Sequence, residues 1–265
     1  MTSSTDPPDE TKAEKVEVEV DIEAPTPRDA EHWAKMVSQL DITDAPDGAV
    51  NINVTGKRLV SPIQGFGKMW QKTYKVNLTG ATLGPTEVIK EWKTNFPKFW
   101  PARNYFYGGL TGIAPGDVAL LNLTMPGRLK LSTGIYVLFA DDESFTFMNP
   151  EGHMFAGWIT FSAFEKGDVT VAQAQVLIRA NDPLYEAGLT MGGHSKENKF
   201  WAHTLSSLAQ HLGVEDPEIE TDVVCVDKRR QWKNAKNVWH NAAIRSGFYT
   251  MGTPFRAMAK PFRKT

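Results

Sequence analysis

Glu151 and His153 stand two residues apart in the stretch NPEGHMFAGW, beside a glycine. A carboxylate near an imidazole can orient it for general acid or base work, and histidine is the side chain most readily tuned around neutral pH. Spacing alone does not make them a pair, because at a hairpin tip both side chains can point to solvent while Gly152 makes the turn. His153 is thus either a candidate catalytic residue or part of a turn. Two further groups have chemistry in reach. FPKFWPARNYFYGG carries Arg103 and Tyr105 among other rings, so it either lines a pocket with the arginine holding an anionic head, or packs a corner of the core. Tyr136, Asn149, Trp158, Gln173 and Gln175 lie on or beside alternating runs, where they either face inward as ligand-contacting groups or decorate a solvated face.

Other chemistries find no pattern. The six histidines include no His-x-x-x-His pair, and His203 and His211, eight apart, would be about 12 Å apart on a helix, too far for one ion. Cys225 is the only cysteine, so no internal disulfide framework forms, and it has no histidine near it in sequence. GFGKMW lacks the remainder of a phosphate-binding loop, and no Gly-x-Ser-x-Gly elbow occurs. No metal and no cofactor is expected.

The elements that would position these residues follow from periodicity. Residues 1–28 are acidic and rich in Pro, Ser and Thr, the composition of a disordered lead with no secretory character. PRDAEHWAKMVSQL predicts a short helix within 29–48. VNINVTG and QKTYKVNLTG predict strands, and EVIKEWKTNFPKFW a helix that Pro97 ends. DVALLNLT, RLKLS, GIYVLFA, SFTFMN, HMFAGWITFSAFE and VTVAQAQVLIRA follow as about six strands, joined by turns short enough to force antiparallel pairing. SKENKFWAHTLSSLAQHLGV then predicts a helix capped by Ser195, with Trp201, Leu205, Leu208 and Leu212 on one stripe and Gly213 as its stop. The whole is an α+β plan over 49–214, a helix across one face of an antiparallel sheet.

In its order of elements the chain resembles the START-like, or SRPBCC, helix-grip superfamily. FTFMNPEGHMFAGWITFSAF and VTVAQAQVLIRANDPLYEAG are similar to the branch described as domain of unknown function nineteen-ninety, over about Gln71 to Val214. The resemblance implies a curved sheet of six or seven strands around the long helix and an apolar ligand between them, lipid or isoprenoid-like. A cyclase, dehydratase or hydrolase acting on a polyketide-like or acyl substrate is the alternative, with His153 as its base or acid and Arg103 or Tyr136 holding an oxyanion. The branch supplies no catalytic motif to transfer.

The last segment, 215–265, is a basic aromatic extension. From Lys228 to the last residue ten lysines and arginines occur with no Asp or Glu between them. Arg229, Arg230, Trp232, Lys233, Lys236 and Trp239 make it a candidate surface for a membrane or a partner. The alternatives are a tail whose tryptophans clamp it onto the main domain, or one that binds the acidic lead. A nucleic-acid role is disfavoured. No apolar run reaches the length of a bilayer span, so the expected place is the cytoplasm, with peripheral membrane contact through the tail.

Overall fold

The computed structural model describes residues 30–42, 45–108, 112–125 and 130–251. The acidic lead lies outside them, as do the last fourteen residues and most of the MPGR turn. Eight strands form one antiparallel sheet: β1 (Met69–Asn77), β2 (Tyr105–Tyr107), β3 (Val118–Thr124), β4 (Lys130–Ala140), β5 (Ser144–Met148), β6 (Phe155–Lys166), β7 (Val169–Ala180) and β8 (Ile219–Asp227). Their order across the sheet is β2-β3-β4-β5-β6-β7-β1-β8. Four helices accompany them: α1 (Pro85–Asn95), α2 (Pro183–Gly188), α3 (His194–His211) and α4 (Ala242–Met251).

The alternation of each strand decides which face is core. Tyr74 and Val76 of β1, Phe161 and Ala163 of β6, and Ala172, Ala174, Val176 and Ile178 of β7 all fall in phase, and all pack with Leu205 and Leu208 of α3 and Val88, Ile89 and Trp92 of α1. The long helix thus lies across one face of the sheet, the helix-grip arrangement. Its apolar stripe is short: Leu205, Leu208 and Ala209 are fully buried, while exposed residues line the other side.

Five local expectations need correction. Residues 30–40 form no helix beyond the single helical residue at 30. The chain there runs beside the end of β4, with Ala34 donating to Leu138 O at 2.9 Å and Ala140 to His32 O at 3.0 Å. Those bonds satisfy strand backbone left over where β3 ends opposite Tyr136. VNINVTG forms a turn instead of a strand, because the Asn51 side chain bonds Thr55 and the Asn53 amide reaches Ser132 O at 2.8 Å. The described part of RLKLS, Lys130–Ser132, and GIYVLFA are one strand, β4, running through Gly134, where a Cβ would stand 2.6 Å from Ala119 O. Ser195 is no cap, since α3 begins at His194, directly after a kink at Met191 and Gly192, whose φ is +106°. Finally β2 and β8 enlarge the sheet to eight strands, so the C-terminal extension begins as its edge strand, paired to β1.

Candidate functional site

The packed layer between β1, β6, β7, α1 and α3 has two halves. One is aromatic. Phe96 follows α1 and is fully buried, with the rings of Phe106, Phe145, Phe147 and Phe161 at 5.2 to 5.7 Å around it, mostly edge to face. Trp201 of α3 closes on Phe161 from above at 5.6 Å. The rings fill this half.

The other half is polar. Lys72 precedes Tyr74 and Val76 in the inward phase of β1, so alternation sends its ammonium under the helix, where it is fully buried. Opposite, Glu197 lies four residues before Trp201 on the inward stripe of α3. Lys72 Nζ donates to Glu197 Oε2 at 2.6 Å and to Asn198 Oδ1 at 2.9 Å, and Tyr74 OH donates to the same Asn198 oxygen at 2.9 Å. Burial, then the neighbouring Glu197 carboxylate, push the Tyr74 phenol far above its ordinary range, so it is a neutral donor. His194 stands beside this group, its Nδ1 3.9 Å from Glu197 Oε2 and its ring 4.8 Å from that of Trp70. Three buried atoms of these touching residues make no hydrogen bond: Glu197 Oε1, His194 Nδ1 and Trp70 Nε1. An acceptor, a tautomer-dependent nitrogen and a donor are therefore held together at the N-terminal end of α3.

The residues singled out by sequence are scattered by comparison. His153 is buried in the turn after β5, where its Nδ1 accepts from Phe155 N at 3.0 Å. Burial drives its pKa down to about 4 against a smaller opposing effect of the Phe155 backbone, so the imidazole is neutral. Glu151 does not pair with it; that carboxylate meets Arg58 at 3.1 Å, His240 at 3.6 Å and Lys57 at 3.9 Å. Asn149 is buried in the same turn, exchanging backbone bonds with Gly157 and Val60. Tyr136 lies on the face away from α3, packed with Leu40, Val54 and Leu120, its hydroxyl donating to Lys35 O at 2.8 Å. Trp158, Gln173 and Gln175 share that outer face, where Gln175 donates to Thr73 Oγ1 at 3.1 Å. Arg103 and Tyr105 are exposed, Arg103 with φ of +69°. Strand phase puts Tyr136, Trp158, Gln173 and Gln175 opposite the helix, so of the two positions left open for them the inward, ligand-contacting one is not taken. Of the expected aromatic cluster, Phe96 and Phe99 are core, while Trp100 and Phe106 pack half-buried against it.

The inward polar set of Lys72, Tyr74, Glu197 and Asn198 was not expected, although a signal for it existed. A lysine in phase with Tyr74 and Val76, and a glutamate in phase with Trp201, Leu205 and Leu208, are charges on two core-facing stripes. Among the described residues no group of three or more His, Cys, Asp or Glu is placed to hold a metal ion.

The tail also departs from expectation. It docks on the domain, but its tryptophans do little to clamp it down, Trp232 meeting Phe66 edge to face at 5.2 Å and Trp239 standing exposed. Asparagines hold it: Asn234 Nδ2 donates to Gly65 O at 2.9 Å, Asn237 Nδ2 to Gln64 O at 2.8 Å and Asn181 O at 2.9 Å, and Asn241 Nδ2 to Asp182 Oδ2 at 2.7 Å. Arg230 adds a 3.0 Å pair with the buried Glu186. The segment Trp232–His240 is a 3-10 helix, which breaks the α-helical stripe of Trp232, Ala235, Trp239 and Ala242 that spacing suggested.

Solved structures show similarity over about half of this chain. A START superfamily protein from Mycobacterium smegmatis is 18% identical, covering 55% of this chain and 97% of that one, with a TM-score of 0.37. The major latex-like protein 151 of Panax ginseng is 12% identical, covering 56% of this chain and all of its own (100%), with a TM-score of 0.39. The di-domain ARO/CYC StfQ from the steffimycin biosynthetic pathway is 10% identical, covering 56% of this chain and 53% of that one, with a TM-score of 0.43. No protein-family model and no curated protein matches the chain, so the narrower resemblance to domain of unknown function nineteen-ninety finds no counterpart there.

Proposed function

We propose that the chain binds a hydrophobic small molecule bearing one polar, hydrogen-bonding end, held between the sheet and α3. The polar end meets Glu197, His194 and Trp70 beside Lys72, and the apolar body lies along the ring-lined half. The observation that carries this reading is the buried Lys72–Glu197 pair, with unpartnered polar atoms next to it, inside an otherwise apolar layer. A buried ion pair stabilises a fold no better than apolar residues of similar volume, and buried polar atoms without partners are rare enough to need a cause. A ligand that supplies those partners is such a cause.

Because rings fill the layer, binding requires α3 to move off the sheet. The backbone break at Met191 and Gly192 separates α3 from α2 and frees its first turns to shift, which exchanges the contacts of Glu197 and Asn198 with Lys72 and Tyr74 for contacts with the polar end of the ligand. The fluorescent probe 1-anilinonaphthalene-8-sulfonate, an apolar body with one polar end, tests the reading. Saturable binding at one site per chain is expected, weakened about tenfold or more in Lys72→Met/Glu197→Leu, where hydrogen-bonding partners are lost. Equal binding by both proteins, or none by either, contradicts it.

A further inference from the structure

The fastening of the C-terminal segment leaves an outward face whose composition is unusual. A 3-10 helix has three residues per turn, so Asn234, Asn237 and His240 form one ridge, and this is the ridge turned to the domain: the asparagines donate into it and His240 O crowds Gly152. Lys233, Lys236 and Trp239 form another ridge, and all three are exposed. Trp239 is 82% exposed and Trp232, whose edge meets Phe66, is 74% exposed. α4 repeats the pattern at its own period. Ala242 and Ser246 face inward, Ser246 Oγ accepting from Ser132 N at 3.0 Å. Ile244, Phe248 and Met251, at i, i+4 and i+7, are exposed, with Arg245 among them.

Charge sorts in the same way. The acidic groups near the segment already have cationic partners: Glu186 has Arg230, Asp227 has the buried Arg179 and the exposed Arg229, and Glu151 has Arg58, Lys57 and His240. Lys233 and Lys236 have no acidic partner among the described residues, and residues 228–251 contain no Asp or Glu. We propose that the outward side chains of residues 229–251 dock on an anionic lipid bilayer. Lysines and an arginine interleaved with indoles suit the headgroup level, where indole is preferred and basic groups are attracted to anionic lipid. The bare aliphatic side chains of Ile244 and Met251 gain by burial in acyl chains, whereas stacking on nucleic-acid bases needs rings. None of the described helices is long and apolar enough to cross a bilayer, so the contact is interfacial.

Sedimentation of the full chain with vesicles tests this, using phosphatidylcholine alone and phosphatidylcholine with phosphatidylserine. Retention on the phosphatidylserine vesicles with a blue shift of tryptophan emission is expected, together with weak or no retention on phosphatidylcholine. Lys233→Glu/Lys236→Glu and Trp232→Ala/Trp239→Ala are each expected to lose about tenfold or more in partitioning, as is the wild type at high salt. Lys233, Lys236 and Trp239 are exposed, so thermal unfolding and binding of the naphthalene probe stay at wild-type values in Lys233→Glu/Lys236→Glu and in Trp239→Ala alone, the control for the edge contact with Phe66 that Trp232→Ala also removes. The proposal is overturned if neither vesicle retains the protein, if both variants partition like the wild type, or if duplex DNA and not vesicles retains the chain.

Discussion

His153 shows how far a residue's type lies from its role. Its neutral, buried imidazole accepts the Phe155 amide and so fixes the backbone that leads into β6. Since its folded pKa, about 4, lies below the ordinary 6.5, the unfolded chain binds more protons between these values. The corresponding stability, about 3 kcal/mol, is fully present above pH 6.5 and is lost as pH falls towards 4. Thermal unfolding followed from pH 7 to pH 4 should therefore drop in this window, and His153→Asn, which keeps a short acceptor and cannot titrate, should flatten that drop; an unchanged slope would remove His153 as its cause. Gly152 next to it has φ of +88°, and a Cβ there would collide with His240 O. Gly152→Ala is expected to cost about 2 kcal/mol or more from backbone strain and to loosen the tail, read as faster proteolysis beyond Asp227. Wild-type proteolysis rates in that variant would show that the tail is held without Gly152.

Between β1 and α3 the decisive pair is Lys72 with Glu197, since each joins two elements through a buried charge. Removing one partner leaves the other buried and unpaired. Lys72→Met should cost about 3–5 kcal/mol in denaturant unfolding, whereas Lys72→Met/Glu197→Leu should return to within about 1 kcal/mol of the wild type or exceed it. A double variant as unstable as the single one would mean that the pair is structural cement and has no call on a ligand. The elements themselves were largely legible. Alternation and turn composition placed β3 through β7, the 3.6-residue period placed α1 and α3, and short connections required the antiparallel meander. What was not legible depended on side chains reaching beyond their own element. Asn53 abandons a strand-like pattern to bond β4, and Asn234 and Asn237 turn a basic α-helical stripe into a 3-10 helix with its tryptophans outward. β8 was hidden for the opposite reason: an edge strand exposed on most of its length carries little alternation to read. The candidate site was not legible because Lys72 and Glu197 sit singly in phase with apolar stripes, where spacing alone does not distinguish a buried charge from one that reaches solvent at the end of its element.

At the scale of the molecule, the sheet has two working faces. Toward α3 it holds rings and a buried polar cluster; away from it, the 30–60 segment and the C-terminal segment are pinned by hydrogen bonds that run from β4, the Gly152 turn and Asn181–Asp182. The two faces make independent claims, because substitutions at Trp232 and Trp239 touch nothing between sheet and helix. The central claim is the ligand between β1 and α3, and native mass spectrometry of the full chain purified under mild conditions, with organic extraction of the same sample, tests it most directly. A mass excess of one small molecule per wild-type chain is expected, recovered in the organic phase and missing from Lys72→Met/Glu197→Leu. An apoprotein mass for the wild type with an empty extract, or the same adduct on both proteins, would contradict it.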